Sequence, residues 1–425
     1  MSKILSYRRI VTVFVDKCKS FKITLRQNLH TGMTPKEKNT YIYVSAGMLV
    51  AAALVLFFIL RRPAVKETDI PVTATEETRR LTLVFAGDLM QHEPQVEAAR
   101  EPGGTFDYTG CFQHIAPVFH ESDVVIANLE TTLSGEGPYT GYPMFRSPAQ
   151  LAGAMKTAGI DVALMANNHI CDKGGKGIGN TVEAVEKAGL LYTGAFADSA
   201  GYAANHPLSI EKEGFKISLL NYTYGTNGLP VPEGRIVNLM DTVVIARDLA
   251  AIAHAENHIV IACLHWGIEY QTTGNKEQES MAGWLHERGV DIIIGGHPHV
   301  IQPAQTVMDT TGIVKYITAY SLGNFVSNQT RPGTDGGMVV RVTLEKDGDG
   351  PTRIIVPDNF YVWTHRPVID GKRRYTIIPS FMADSLLAED TAALAKYESF
   401  AALARKTIAS SGFNEITQGV YFKEL

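Results

Sequence analysis

Cysteine is scarce in this sequence, with four residues among 425. A fold held together by a framework of disulfide bonds is therefore excluded. Charged residues make up 20% of the chain and hydrophobic residues 45%, which excludes a largely disordered or collagen-like protein. The length predicts two or three domains, or one large α/β domain with appended segments.

Several catalytic motifs are also missing. The sequence has no Gly-x-Ser-x-Gly elbow, which carries a nucleophilic serine, and no His-Glu-x-x-His zinc motif. The glycine-rich segment 172–181 has Asn180 where a nucleotide-binding loop has its lysine. These absences argue against a serine hydrolase, a zinc protease of that type and a P-loop nucleotide-binding protein.

Positive charge is concentrated at the N-terminal end. Residues 1–66 contain 12 lysines and arginines and 2 acidic residues, whereas residues 67–425 contain 27 and 42, a balance of −15. Proteins that bind nucleic acid carry their positive surface on the folded body. The charge distribution therefore argues against a nucleic-acid partner.

Residues 41–60 form a run without any charged side chain. Twenty such residues in a helix cross about 30 Å of hydrocarbon, so the sequence predicts a transmembrane segment that anchors the protein to the membrane. A cleaved signal peptide is the alternative. Arg61 and Arg62 follow the run where a small-x-small cleavage site would be expected, which favours the anchor.

Nine lysines and arginines precede this segment and three follow it closely. The positive-inside rule then predicts a single-pass protein of the cell membrane, with a cytoplasmic N-terminus and an extracytoplasmic main domain. Three cysteines lie in the exported part and can form at most one disulfide bond. The predicted organisation is a basic cytoplasmic arm (1–40), the anchor (41–60), a linker (61–80), a main domain (81–344) and a β-rich and helical extension (345–425).

From residue 81 onward, short apolar runs alternate with helical patterns, which is typical of an α/β fold. The last part of the chain lacks long helices between its strands and predicts antiparallel pairing. The predicted strands are 81–86, 123–129, 161–166, 217–222, 258–264, 290–295, 315–325, 336–345 and 353–363. The predicted helices are 148–159, 177–189, 240–257, 276–288 and 390–411.

Five of these strands are followed by side chains that can bind metals. The carboxyl ends of strands in an open α/β sheet define a ligand crevice. Each side chain alone could equally cap a turn or lie satisfied in the core, but together they predict one polyvalent site. Oxygen and imidazole ligands without thiolate suit Mn, Fe or Zn. The polar residues at these strand ends are Asp88, Asn128, Glu130, Asn167, Asn168, His169, Asp172, His265, His297 and His299.

An ordered set of short motifs extends from residue 85 to residue 326. With these motifs the chain resembles the bacterial capsule synthesis protein family, the CapA/PgsA type of poly-γ-glutamate biosynthesis proteins, which are related to calcineurin-like metallophosphoesterases. The resemblance covers about 81–340. It implies a four-layer α-β-β-α sandwich of two packed sheets, here preceded by the transmembrane helix. The motifs are FAGDLM, ANLETTL, MANNHICDKG, CLHWGIEY, GGHPHVIQP and YSLGNFV.

The resemblance also implies a site for one or two divalent cations. Asp88 and His299 would bind the first metal, and Glu130 would bridge both. The first strand departs from the usual Asp-x-His pattern, because Met90 stands where the histidine belongs and the nearest histidine is His92. A mononuclear site, or a site that binds without hydrolysis, is therefore an open alternative.

The second metal would be held by Asn168, His265 and His297. His169 would be the acid that protonates the leaving group in hydrolysis of a phosphoester. Loop residues near the crevice are candidates for contact with the substrate, although a plain turn or a solvated side chain explains them equally well. They are Arg146, Tyr222 and Asn227, and Tyr224 belongs to the same predicted loop as Tyr222 and Asn227.

The functional hypothesis is therefore an exported, membrane-anchored component of capsule or poly-γ-glutamate-type polymer production. Its site would bind or process the anionic polymer or a phosphorylated intermediate, together with synthase or export components. A metal-dependent envelope phosphoesterase without a capsule role and a non-catalytic anchoring subunit are the alternatives. Because the body is acidic, contact with a polyanion requires a bound cation or a local basic patch.

Overall fold

The computed structural model describes residues 34–60, 77–252 and 257–418. The chain divides into two compact units, Met1–Thr75 and Glu76–Leu425.

The first unit contains helix α1 (Pro35–Leu60), which includes the predicted membrane segment. No helix in the described ranges combines the length and the apolar character needed to cross a bilayer. The span at 41–60 therefore stays a prediction. The predicted basic arm up to residue 33 and the linker from 61 to 76 lie outside the described residues.

The second unit contains the remaining strands and helices. The strands are β1 (Thr78–Leu89), β2 (Val124–Leu129), β3 (Leu133–Ser134), β4 (Ser147–Pro148), β5 (Val162–Leu164), β6 (Leu191–Thr193), β7 (Ala195–Phe196), β8 (Leu208–Lys212), β9 (Phe215–Thr223), β10 (Ile236–Val237), β11 (His258–His265), β12 (Ile292–Gly296), β13 (Ala304–Met308), β14 (Val314–Ala319), β15 (Asn324–Val326), β16 (Gly336–Asp347), β17 (Arg353–Ile354), β18 (Asp358–His365), β19 (Val368–Ile369), β20 (Lys372–Arg373), β21 (Thr376–Pro379) and β22 (Asn414–Glu415). The helices are α2 (Glu93–Ala99), α3 (Thr109–Phe112), α4 (Ala116–His120), α5 (Gln150–Thr157), α6 (Gly174–Lys187), α7 (Ser199–Asn205), α8 (Thr242–Ala251), α9 (Lys276–His286), a 3-10 turn (Ser380–Met382), α10 (Ala383–Leu386) and α11 (Thr391–Ile408).

Sixteen strands form one mixed sheet whose main path runs β6-β5-β2-β1-β16-β17-β14-β12-β11-β9-β8. We call β6 to β16 on this path the first half and β14 to β8 the second half. Parallel pairing runs through β1, β2, β5 and β6 in the first half and through β14, β12, β11 and β9 in the second. The predicted α/β alternation is confirmed.

The resemblance implied a sandwich of two packed sheets, and in the structure hydrogen bonds join the two halves into one sheet. The two-residue strand β17 pairs with β16 on one side and with β14 on the other. Such a short connecting strand has no recognisable hydrophobic period, so the sequence did not reveal it. The sheet is therefore continuous at this edge.

The two halves nevertheless pack face to face. Alternate residues of β1, such as Leu83, and of β11, such as Ile261, belong to the same buried hydrophobic cluster. The intervening residues face outward, where Val84 packs with the cluster that includes α5 and α6, and Val260 with the cluster that includes α8 and α9. This alternation follows from the two-residue period of a strand. Helices therefore cover the outer face of each half.

The C-terminal part of the chain continues the same body. The predicted boundary between 344 and 345 falls inside β16, and β18 pairs with both β16 and β21. Helix α11 contributes Phe400 and Ala404 to the cluster shared by the two halves. Residues 345–418 therefore belong to the second compact unit.

Candidate metal centre

The polar residues that end the central strands meet in one buried cluster. Asp88 of β1 lies beside Asn128 of β2, and His265, the last residue of β11, lies beside Gly296, the last residue of β12. Parallel strands bring their carboxyl ends to the same edge, which is why residues distant in sequence become neighbours here. Asp88, Asn128 and His265 are all buried.

The turn after β12 brings two histidines to this cluster. His297 and His299 both have left-handed backbone conformations, with φ of 94° and 58°. A side chain at Gly296 would place its Cβ 2.6 Å from Asp88 Oδ1, so glycine is required for the close approach of the two strands. The His297 amide donates to Asp88 Oδ2 at 3.1 Å. This hydrogen bond therefore joins the strained turn directly to the Asp88 carboxylate.

Two groups of three potential ligands overlap at Glu130. One contains Asp88, Glu130 and His299, the other contains Glu130, His265 and His297, and the ligand atoms within each group lie within 4.8 Å of one another. The predicted roles of these residues call for this arrangement, with one carboxylate between two cation positions. The structure therefore contains two candidate groups of metal ligands that overlap at Glu130.

Asn168 completes the second group. Its Oδ1 lies 2.9 Å from His265 Nε2, and its Nδ2 donates to Asn227 Oδ1 at 3.3 Å. The amide oxygen therefore faces the imidazoles, as a ligand would, while the amide nitrogen is bound to the neighbouring loop. All six predicted ligands belong to one neighbourhood.

The two carboxyl groups of the centre differ in their protonation. Burial alone would raise the pKa of Asp88, but the hydrogen bond and charge of His299 outweigh it and lower that pKa to about 2. Burial, reinforced by the charge of Asp88, raises the pKa of Glu130 to about 8. Without a bound cation, ionisation of Glu130 is therefore energetically unfavourable.

Two of the three histidines are held neutral. Burial lowers the pKa of His265 to about 3 and that of His297 to about 2. Burial also opposes the charged form of His299, but the negative charges of Glu130 and Asp88 prevail and raise its pKa to about 9. Neutral imidazoles are the form that binds metals, so His265 and His297 are ready to act as ligands at neutral pH.

The unsatisfied polar atoms of the cluster fit bound cations. Glu130 Oε1 and His297 Nδ1 are buried and have no hydrogen-bond partner among the described residues. Glu130 Oε1 lies 3.5 Å from His265 Nε2 and 3.9 Å from His299 Nε2. Atoms that share one cation at about 2.1 Å each lie roughly 3 to 4 Å apart. The donor set of oxygen and nitrogen, without sulfur, suits Mn, Fe or Zn.

His169 lies beside this cluster and is held by a second buried acid. Its Nδ1 is 2.8 Å from Asp172 Oδ2, and the same oxygen accepts the amide of Phe145 at 2.7 Å. The rings of His169 and Phe145 meet edge to face with centroids 4.6 Å apart. The His–Asp pair fixes one ring nitrogen and leaves Nε2 as the atom available for proton transfer.

Residues 82–329 match the family model described as bacterial capsule synthesis protein PGA_cap. The chain belongs to that family. It is 28% identical over 372 residues to the PGA biosynthesis protein CapA of Bacillus subtilis (strain 168), which covers 84% of this chain and 91% of that protein.

A second relative of this chain is the capsule biosynthesis protein CapA of Bacillus anthracis. It is 27% identical over 372 residues, which is 83% of this chain and 85% of the relative. Among solved structures, the 5'-nucleotidase from Candida albicans SC5314 aligns with a TM-score of 0.36 and 10% identity, over 64% of this chain and 54% of that one. A likeness that weak carries no argument about the fold.

The structure gives roles to residues for which the sequence analysis assigned none. Asn128 Nδ2 donates to Asp88 Oδ1 at 2.7 Å, and Asn324 Oδ1 lies 3.1 Å from His299 Nδ1. Tyr224, nearly half exposed, places its ring over His297 with centroids 4.5 Å apart. Asn128 and Asn324 lie within the quoted motifs ANLETTL and YSLGNFV, so their position in a motif was the available signal.

The three residues predicted to contact a substrate have different positions, and the structure does not bring Tyr222 to the site. Tyr222 lies fully buried in β9 and donates its hydroxyl hydrogen bond to Asp248 at 2.8 Å, so it cannot contact a substrate. Arg146 donates to a serine hydroxyl at 3.2 Å and has no contact with the metal ligands in the described hydrogen bonds. Asn227 does reach the centre through Asn168.

His92 does not take the place of the missing first-strand histidine. Its Nδ1 lies 3.2 Å from Gln95 Oε1 and accepts the amide of Asn328 at 3.3 Å, at the start of α2. It belongs to neither group of ligands.

The three described cysteines, Cys111, Cys171 and Cys263, are free and buried. This agrees with the predicted limit of at most one disulfide bond in the exported part.

We expect the full-length protein to bind up to two divalent cations per chain, one for each group of ligands. Glu130→Gln should lose both because the carboxylate is shared, whereas Asp88→Ala and His297→Ala should each lose one. Elemental analysis after dialysis against Mn²⁺ or Zn²⁺ measures the content. Glu136→Gln, which removes an exposed acid paired with Lys176, is the matched control. Full metal content in Glu130→Gln would contradict the shared site.

Proposed function

We propose that this protein is an exported, metal-dependent hydrolase that acts on a phosphorylated intermediate of a poly-γ-glutamate-type capsule. Family membership supports the role in capsule synthesis, since two relatives carry capsule or PGA biosynthesis in their names. The observation that carries the chemistry is the buried, unpartnered Glu130 oxygen between two groups of nitrogen and oxygen ligands.

Divalent cations at such a centre would activate water and neutralise charge that develops on a phosphoryl group. The protein would supply the fixed ligands. Asp88, ionised at neutral pH, and the neutral His265 and His297 need no proton release before they bind a cation. Glu130 and His299, whose pKa values are raised to about 8 and about 9, are the ligands that must each lose a proton, and cation binding would drive that loss.

His169 is the proposed proton donor to the leaving group. Asp172 engages Nδ1, which orients the ring and leaves Nε2 to deliver the proton. The contact with Phe145 restricts rotation of the ring. Neither His169 nor Asp172 belongs to the two ligand groups, so this step is separable from metal binding by mutation.

Tyr224 and Asn227 form the proposed rim that meets the substrate. Both side chains are exposed, and the Tyr224 hydroxyl lies 3.5 Å from Asn227 Oδ1. Tyr224 covers the face of His297, and Asn227 accepts from Asn168. A substrate that reaches the metals would therefore touch this loop. Tyr224 replaces Tyr222 as the aromatic residue proposed for substrate contact.

The membrane anchorage is proposed from the sequence. Residues 41–60 carry no charge and follow nine lysines and arginines, a pattern that favours a single-pass protein of the cell membrane with the body outside. The full-length chain should remain with membranes after an alkaline carbonate wash, while a chain without residues 41–60 should not. External protease should digest the body in intact spheroplasts. Recovery of the full-length chain in the soluble fraction would contradict the anchor.

His169→Gln should retain the wild-type metal content and lose hydrolysis of an alkyl phosphate by roughly 10²- to 10⁴-fold, because general acid catalysis contributes that much. Hydrolysis of p-nitrophenyl phosphate should fall much less, since its leaving group needs no proton. Asp172→Asn should show the same selectivity with a smaller loss. Equal losses on both substrates, or none on either, would argue against His169 as the acid.

In a strain that lacks the gene, surface polymer should be absent, and the wild-type gene should restore it. The Glu130→Gln gene should not, because the centre would lose its bridging ligand. Glu136→Gln, made at the same level, serves as the control for expression. The measurement is polymer released from the cell surface, quantified as glutamate after hydrolysis. Unchanged surface polymer in the deletion strain would end the capsule assignment.

A further inference from the structure

A cavity lies outside the segment that matches the family model. It has a volume of about 340 Å³ and lies between the end of β18 and the start of α11. Its lining residues fall between Thr330 and Lys396, beyond the matched residues 82–329. The metal centre does not use it.

The cavity carries an excess of positive side chains. Arg366, Arg373 and Lys396 line it, and none of them forms an ion pair within 4 Å in the part of the chain that is described. Its two acids are engaged: Asp335 accepts from a tryptophan N–H at 2.8 Å, and Asp390 accepts a main-chain amide of α11 at 2.9 Å and contacts a histidine. Three positively charged side chains and two carboxylates give this wall a net positive charge, whereas the body as a whole is acidic.

Two polar groups in the wall lack a hydrogen-bond partner. Thr364 is 1% exposed, and its Oγ1 has no partner among the described residues. Arg366 Nε is likewise buried without one, although Nη2 of the same residue donates to the Gln329 carbonyl oxygen at 2.6 Å. A hydroxyl and a guanidinium N–H that both lack acceptors fit an anionic oxygen. The first turn of α11, an 18-residue helix, adds its positive end.

Hydrogen bonds connect this wall to the metal centre. Arg366 binds the main chain of Gln329, whose side-chain oxygen accepts from Asn324 Nδ2 at 2.9 Å. Asn324 Oδ1 in turn lies 3.1 Å from Nδ1 of His299, a proposed metal ligand. The cavity is therefore only two residues removed from the centre along this chain of contacts.

We propose that this cavity is an anion-binding subsite that holds carboxylates of a polyglutamate-type chain beside the metal centre. The proposal rests on the capsule function proposed above and names the class of ligand. A body with a balance of −15 repels such a polymer, so a local cluster of cations is needed for contact. Each unit of such a polymer carries one carboxylate, and arginine pairs with carboxylates through two parallel hydrogen bonds.

Arg373→Gln combined with Lys396→Gln tests the subsite, since both side chains are exposed and can change without disturbing the core. The full-length protein in detergent is titrated with purified poly-γ-glutamate at about 50 mM salt, where screening is weak. We expect the dissociation constant to rise roughly tenfold, the effect of losing two exposed charge pairs. Thr364→Val should weaken binding as well, without a change of charge.

Lys187→Gln with Lys276→Gln is the matched control, because it removes two exposed cations elsewhere and changes the net charge equally. It should bind the polymer as wild type does. The subsite is overturned if Arg373→Gln/Lys396→Gln binds like this control. The carboxylate assignment is overturned if inorganic phosphate, and not the polymer, binds in a way that depends on Arg373 and Lys396. The metal content of each protein is measured in parallel. If the proposed metal centre is wrong, the wild-type protein will lack bound metal whatever the polymer titration shows.

Discussion

The burial of Glu130 between Asp88 and three histidines is the constraint on which the rest of this structure depends. A carboxyl group with no exposed surface and one unpartnered oxygen is unfavourable in its charged form, and burial raises its pKa to about 8. Hydrogen bonds fix Asp88 and His299 on one side, and His265 with Asn168 on the other. The cluster therefore places the candidate metal ligands close together around a buried carboxyl group.

The fold explains why such a cluster can exist. Two half-sheets packed through one core present their carboxyl-terminal strand ends at the same edge, which brings Asp88 of the first half to His265 and the β12 turn of the second. The left-handed turn at His297 and His299 would be unfavourable in isolation. The hydrogen bond from the His297 amide to Asp88 and the glycine that precedes the turn both favour this left-handed backbone conformation.

Much of this architecture was predictable because buried parallel strands read as apolar runs and their ends carry the ligands. All six predicted ligands meet, because strand ends converge whatever their distance in sequence. Tyr222 shows where the pattern fails: nothing local distinguishes a tyrosine that turns into the core, toward Asp248, from Tyr224 two residues later at the rim. The two-residue strand β17 was invisible for the same reason, since a link so short has no period of its own. Asp335 and Arg366 form one wall only through the tertiary fold.

The proposal that two cations share Glu130 can be tested by anomalous X-ray scattering from a crystal grown with Mn²⁺. We expect two anomalous peaks about 3.5–4 Å apart, one beside Asp88 and His299, the other beside His265 and His297, with Glu130 in contact with both. Ordered cations bound elsewhere, with no peak in this cluster, would contradict it.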